Sequence, residues 1–110
     1  MNITVGNKAL ALDEDGHLQK LADWNEVVAD ALAEQEGINL NEQHWEIINL
    51  LREFHTTFEL LPSMRPLVNY VRIKLGDEKG RSIYLMQLFP PSPARVAARI
   101  AGLPRPENCL

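Results

Sequence analysis

Residues 41–58 read NEQHWEIINLLREFHTTF, and the spacing of the apolar residues in this stretch decides the fold. Trp45, Ile48, Leu51, Phe54 and Phe58 step by three and four, with Ile47 and Leu50 alongside, so one apolar stripe runs along a helix to about residue 59. Asn41 caps its start, and Leu61-Pro62 breaks the chain beyond it. As the longest and most apolar segment, this helix is expected at the centre of the molecule.

The segments on either side carry the same period. Upstream, Trp24, Val27, Val28, Ala31 and Leu32 share a face of a helix that Asp23 can cap and Gly37 stops. Downstream, Ser63 caps a helix with Met64, Leu67, Val68, Val71 and Leu75 on one stripe; Pro66 is tolerated in its first turn and Gly76 ends it. A short helix carries Tyr84, Leu85 and Leu88 as far as Phe89-Pro90-Pro91, and Ser92-Pro93 starts a last helix that stops at Gly102. Near the start, Ile3, Val5 and Ala9 to Leu12 flank Gly6-Asn7, a pair suited to positive φ, which predicts a hairpin; a second turn follows at Asp15-Gly16. The fold class is therefore mainly α: a small compact bundle of about five helices with an N-terminal β-hairpin and a flexible C-terminal arm. Residues 1–102 form the single globular domain, and residues 103–110 form the arm.

At 110 residues with 45% hydrophobic content, the chain can build one core. A single cysteine excludes an intramolecular disulfide, and no cluster of Cys and His suggests a structural zinc, which fits a reducing cytosol. The first residues lack the basic and long apolar regions of a secretory signal, and no run of eighteen apolar residues offers a membrane span. A cytoplasmic protein with no membrane partner is expected.

Net charge is −4, but it is unevenly spread. Residues 1–64 hold three bases against twelve acids, a net −9, whereas residues 65–110 hold eight bases against three acids, a net +5. Two readings follow: the basic part meets an anionic partner, or the two parts complement each other within one fold.

Several constellations point to no chemistry. His44 and His55 are eleven residues apart, about 16 Å along one helix, so they cannot share an ion, and with His17 they read as surface or core-edge residues. The acids at Asp13-Glu14-Asp15 and at Glu34 and Glu36 lack any EF-hand or HExxH spacing, and no phosphate loop or nucleophile elbow is present. No metal and no cofactor are expected. Ser63 to Leu75 or Ser82 to Phe89 could be the recognition helix of a helix-turn-helix, but a pI near 5.3 lacks the phosphate-neutralising charge that DNA affinity needs.

The closing stretch, GLPRPENCL, holds the only cysteine, Cys109. Pro104 and Pro106 interrupt any helix, and Arg105, Glu107 and Asn108 leave no apolar face, so a buried structural thiol does not fit. A thiol on such an arm can enter another protein's site. Glu107 and the carboxylate of Leu110 disfavour the thiolate, with Arg105 opposing them, so activation is expected in trans, in a partner's basic pocket or at a helix N-terminus.

DGHLQKLADWNE, EGINLNEQHWEII, LPSMRPLV, KGRSIYLMQLFP and IAGLPRPENCL together resemble the DsrC/TusE family of sulfur-relay proteins, over nearly the whole chain. The resemblance implies that Cys109 carries sulfur as a persulfide and that Gly102, Leu103, Pro104, Arg105 and Pro106, at the root of the arm, bind the partner. Members of dissimilatory sulfur metabolism carry a second cysteine where Ala98 stands, so the likeness is to the TusE branch. It implies a TusBCD-like donor complex and an MnmA-like tRNA thiouridylase as partners, in the path to 2-thiouridine at the wobble position, with tRNA contacted at most indirectly. The alternative is a DsrC-like binding or regulatory protein that meets a sulfur enzyme, in the manner of a sulfite reductase gamma subunit, or DNA without turning over sulfur. In LFPPSPA, Ser92 stands where the family pattern has glycine, and it is expected to cap the last helix with at most a slight change in the arm's launch angle.

Overall fold

The computed structural model describes residues 1–106; Glu107 to Leu110, Cys109 among them, lie outside the described residues. The chain opens with an antiparallel hairpin, β1 (Asn2–Val5) against β2 (Lys8–Ala11), in a register that sets Ile3 opposite Leu10 and buries both on one face. At the turn, Gly6 takes φ +62 while Asn7 does not go positive, the pattern of a two-residue turn that needs glycine at its first position only.

Five helices follow: α1 (Glu26–Gln35), α2 (Glu42–Phe58), α3 (Met64–Leu75), α4 (Ser82–Leu88) and α5 (Pro93–Ile100). The start of α1 differs from expectation. Its cap is Asn25, whose side chain accepts from the Val28 N–H at 2.9 Å, while Asp23 lies in a preceding 3-10 turn and Trp24 sits just outside the helix. The buried face is accordingly Val28, Ala29, Leu32 and Ala33, and Val27 is 64% exposed. Tertiary contact overrides local periodicity here, because the Trp24 indole is tied to the far end of α5 (below). Asn41 does cap α2, in a capping box in which its side chain receives the His44 N–H and His44 Nδ1 receives the Asn41 N–H. Ser63 and Ser92 occupy cap positions of α3 and α5, but neither side chain makes a cap hydrogen bond. At α5 the start is set by Pro93 in the first turn.

The centre of the bundle is α5, not α2. It contacts all four other helices, and six of its eight residues are buried. The reason is size: Ala94, Ala97 and Ala98 let neighbouring helices approach closely, whereas the stripe of α2 ends in Phe58, which is 52% exposed.

The charge asymmetry also finds partners within the molecule. Lys74–Glu53, Lys79–Glu46, Arg99–Glu36 and Arg105–Asp15 each join a base of the C-terminal part to an acid of the N-terminal part. Among the described residues, no helix is long and apolar enough to cross a membrane, and no three His, Cys, Asp or Glu side chains are grouped to hold a metal ion.

Candidate functional site

The site is built at the C-terminal end of α5, where the chain leaves the core towards Cys109. A helix leaves its last carbonyls without intrahelical donors. The N–H of Gly102 reaches the Arg99 carbonyl at 3.1 Å and that of Leu103 reaches the Ala98 carbonyl at 2.9 Å, a Schellman motif with Gly102 at φ +74. Its apolar residue, Leu103, is buried in the core.

Three side chains from three other elements take carbonyls of the same turn. Trp24 Nε1 donates to the Ile100 carbonyl at 2.8 Å, Arg52 Nη1 to that of Ala101 at 2.7 Å, and His17 Nδ1 to that of Leu103 at 2.8 Å. Trp24 and Arg52 also hold each other, with the guanidinium carbon 3.9 Å from the indole centroid.

His17 reaches this turn because DEDGH folds into a tight loop. The Asp13 carboxylate accepts the backbone N–H of Asp15 and of His17, both at 2.9 Å, and Arg99 Nε donates to the Gly16 carbonyl at 2.8 Å. A carbonyl can only accept, so His17 carries its proton on Nδ1. Its Nε2 is buried and has no hydrogen-bond partner among the described residues. Burial pushes this imidazole below the ordinary histidine value of 6.5, against the opposing pull of the Leu103 carbonyl and the Asp13 carboxylate.

His17 is thus fully buried rather than at the surface, and His44 is nearly so, donating from Nε2 to the Leu88 carbonyl at 2.9 Å. Both rings find backbone partners, which is what makes their burial tolerable. His55 is half-buried. It lines a groove of about 540 Å³ together with the end of α2, the loop Glu59 to Ser63, the start of α3, and Pro104 and Arg105.

Of the residues assigned to partner binding, Gly102 and Leu103 are packed into the core and Pro106 is buried, while Pro104 and Arg105 are exposed. Arg105 Nη1 meets the Asp15 carboxylate at 3.1 Å. Cys109, the expected sulfur carrier, lies outside the described residues. Sequence reasoning missed the roles of His17, Trp24 and Arg52. The one available signal was Arg52 itself, a cation directly after Leu51 on an apolar helix.

The family model for DsrC-like proteins matches residues 4–110. The chain belongs to the DsrC-like family. Among curated relatives of this DsrC-like chain, a protein named Sulfurtransferase TusE from Yersinia pseudotuberculosis is 48% identical over 98 residues, covering 89% of this chain and 91% of the relative. One of the same name from Salmonella paratyphi A is 44% identical over 103 residues, covering 94% of each. Among solved structures, Allochromatium vinosum DsrC superposes with a TM-score of 0.89 at 48% identity, covering 99% of this chain and 97% of that one. The oxidised gamma subunit of dissimilatory sulfite reductase (DsrC) from Archaeoglobus fulgidus superposes with a TM-score of 0.86 at 39% identity, over the full length of both chains. The DsrC-like fold anticipated from the motifs is therefore the fold of this molecule.

Proposed function

We propose that this DsrC-like chain is a sulfurtransferase that works as a carrier, with Cys109 as the site that takes and hands on sulfur. The thiolate of Cys109 attacks the outer sulfur of a donor protein's persulfide; the S–S bond of the donor breaks, the donor leaves as a thiolate, and Cys109 becomes Cys109–S–SH. An acceptor then takes the outer sulfur, and the Cys109 thiol is regenerated. No net oxidant or reductant is consumed in the hand-over. The observation that carries the reading is that relatives named Sulfurtransferase TusE align over most of the chain, while the chain has one cysteine to perform such a transfer.

The finer assignment follows the TusE name. The donor is a TusBCD-like complex, the acceptor an MnmA-like thiouridylase, and the product 2-thiouridine at the tRNA wobble position in the cytoplasm. Gly102 to Pro106 serve the partner contact in two ways: Gly102 and Leu103 root the segment, and Pro104 and Arg105 present side chains to the partner. Arg105, whose guanidinium meets the Asp15 carboxylate, is the docking charge of the segment.

Intact-protein mass after incubation with a cysteine desulfurase, cysteine and the donor complex tests the reading. One added sulfur, removed by reductant and absent in Cys109→Ser, is the expected result. No adduct in the presence of a donor that loads a known acceptor would overturn it.

A further inference from the structure

We propose that His17, Trp24 and Arg52 are positioning residues for Cys109: together they clamp the last turn of α5 and so set the point and direction from which the thiol-bearing segment departs. The inference rests on the carrier reading for its functional consequence, but its structural half stands on the hydrogen bonds alone.

The three donors converge from separate parts of the chain. His17 comes from the loop after β2, Trp24 from the entry to α1 and Arg52 from the middle of α2, and they take the carbonyls of Leu103, Ile100 and Ala101. The backbone N–H groups of Ala101, Leu103 and Gly102 already occupy the carbonyls of Ala97, Ala98 and Arg99. The orphan carbonyls of a helix end are met by water, by side chains or by tightened backbone bonds; here indole, guanidinium and imidazole supply the donors. The parts also depend on one another. Arg52 lies over the Trp24 ring, and that ring packs so tightly on Gly102 that a Cβ there would fall 2.3 Å from Trp24 Cδ1.

The consequence is a defined point from which Cys109 is reached. Beyond the clamp Arg105 meets the Asp15 carboxylate and Pro106 is buried, and Cys109 is the third residue after Pro106, a reach of about 10 Å at full extension. Sulfur transfer needs the thiolate within about 3.5 Å of the donor sulfur and in line with its S–S bond. Releasing the clamp would loosen the described chain from Ile100 to Pro106 and so displace the point from which Cys109 is reached, which lowers its effective concentration at a docked partner's site. Trp24, Arg52 and His17 touch no reacting atom in this picture. They act through the backbone.

Two measurements on the full chain test this. The first needs no sulfur chemistry: nitroxides on Cys109 and on a cysteine introduced at exposed Asp30 (Asp30→Cys) report the distance distribution between the segment and the globule by pulsed electron resonance. His17→Leu and Trp24→Phe, which remove a donor but keep an apolar or aromatic filling, are expected to broaden that distribution about twofold. His17→Asn, which keeps an N–H near the place of Nδ1, should restore it. The second compares loading of Cys109 by a protein persulfide with loading by inorganic polysulfide, which needs no docking. The donor-removing variants are expected to slow the protein reaction about tenfold or more while the polysulfide reaction stays within about twofold of the parent. An unchanged distance distribution would overturn the clamp. A broadened distribution with unchanged protein transfer, or a parallel fall in both reactions, would overturn the positioning role. If the parent chain itself takes no sulfur, the carrier reading fails, and the clamp is then decided by the distance distribution.

Discussion

Gly37 and Gly102 form a matched pair, and replacing each by alanine separates backbone strain from close packing. Each follows a helix at the same place in a Schellman motif, with φ +75 and +74 and the same two hydrogen bonds to the preceding turn. An alanine at either position takes a left-handed conformation that costs about 1 kcal/mol. Their surroundings differ. Nothing lies within 4 Å of a Cβ built on Gly37, whereas one on Gly102 would stand 2.3, 2.4 and 2.7 Å from Cδ1, Cγ and Cβ of Trp24. Relieving that overlap requires Trp24 to move away from the Ile100 carbonyl and from Arg52, so overpacking of about 1–3 kcal/mol adds to the strain. Gly37→Ala should therefore lose about 1 kcal/mol and Gly102→Ala about 2–4 kcal/mol. With a urea dependence of about 1.5 kcal/mol per molar, the unfolding midpoint should fall by about 0.7 M for the first and by about 2 M for the second. Urea unfolding followed by tryptophan fluorescence reads both. Equal midpoint shifts for the two variants would refute the claim that Trp24 seals the end of α5.

Acid should destabilise the protein in a defined window. Burial lowers the affinity of both His17 and His44 for a proton, so the unfolded chain, titrating near 6.5, binds protons that the folded chain refuses. Stability is complete above about pH 7 and falls as the pH drops through 6.5 towards the folded values, and urea midpoints measured from about pH 8 to pH 5 should show this fall. His17→Asn, which removes one of the two titrating groups, should make the fall shallower. Asn41→Ala removes the side-chain acceptor of the α2 capping box, leaving the backbone N–H of residue 41 to His44 Nδ1, and should cost about 1 kcal/mol, read as a lower thermal midpoint. Phe89→Ala empties the site of the largest fully buried side chain, whose ring meets His44 edge-on at 5.1 Å; a loss of about 3–5 kcal/mol is expected in the same assay.

Much of this molecule was legible in the chain because its signals are local. The three-and-four spacing of α2, the glycines that end α1, α3 and α5, Pro93 opening α5 and the Gly6 turn each act within a few residues, so element order and type could be read directly. The family motifs and the lone cysteine pointed to the sulfur chemistry for the same reason: both are properties of residue identity and spacing.

What was not legible depends on contacts between residues far apart in the chain. Periodicity placed Trp24 on the first helix, and His17 read as a surface or core-edge residue, yet Trp24 meets a carbonyl 76 residues away and His17 one 86 residues away. Whether a carbonyl at the end of α5 finds water or an indole cannot be read from either segment alone. The same holds for the centre of the bundle. The chain by itself determined that there are five helices, a hairpin and a thiol beyond the last glycine. Tertiary packing decided that the small, alanine-rich α5 is enclosed by the other four, since only close approach of whole helices rewards small side chains, and that its last turn is held by three distant donors, since a buried carbonyl must be satisfied by whatever the fold brings to it.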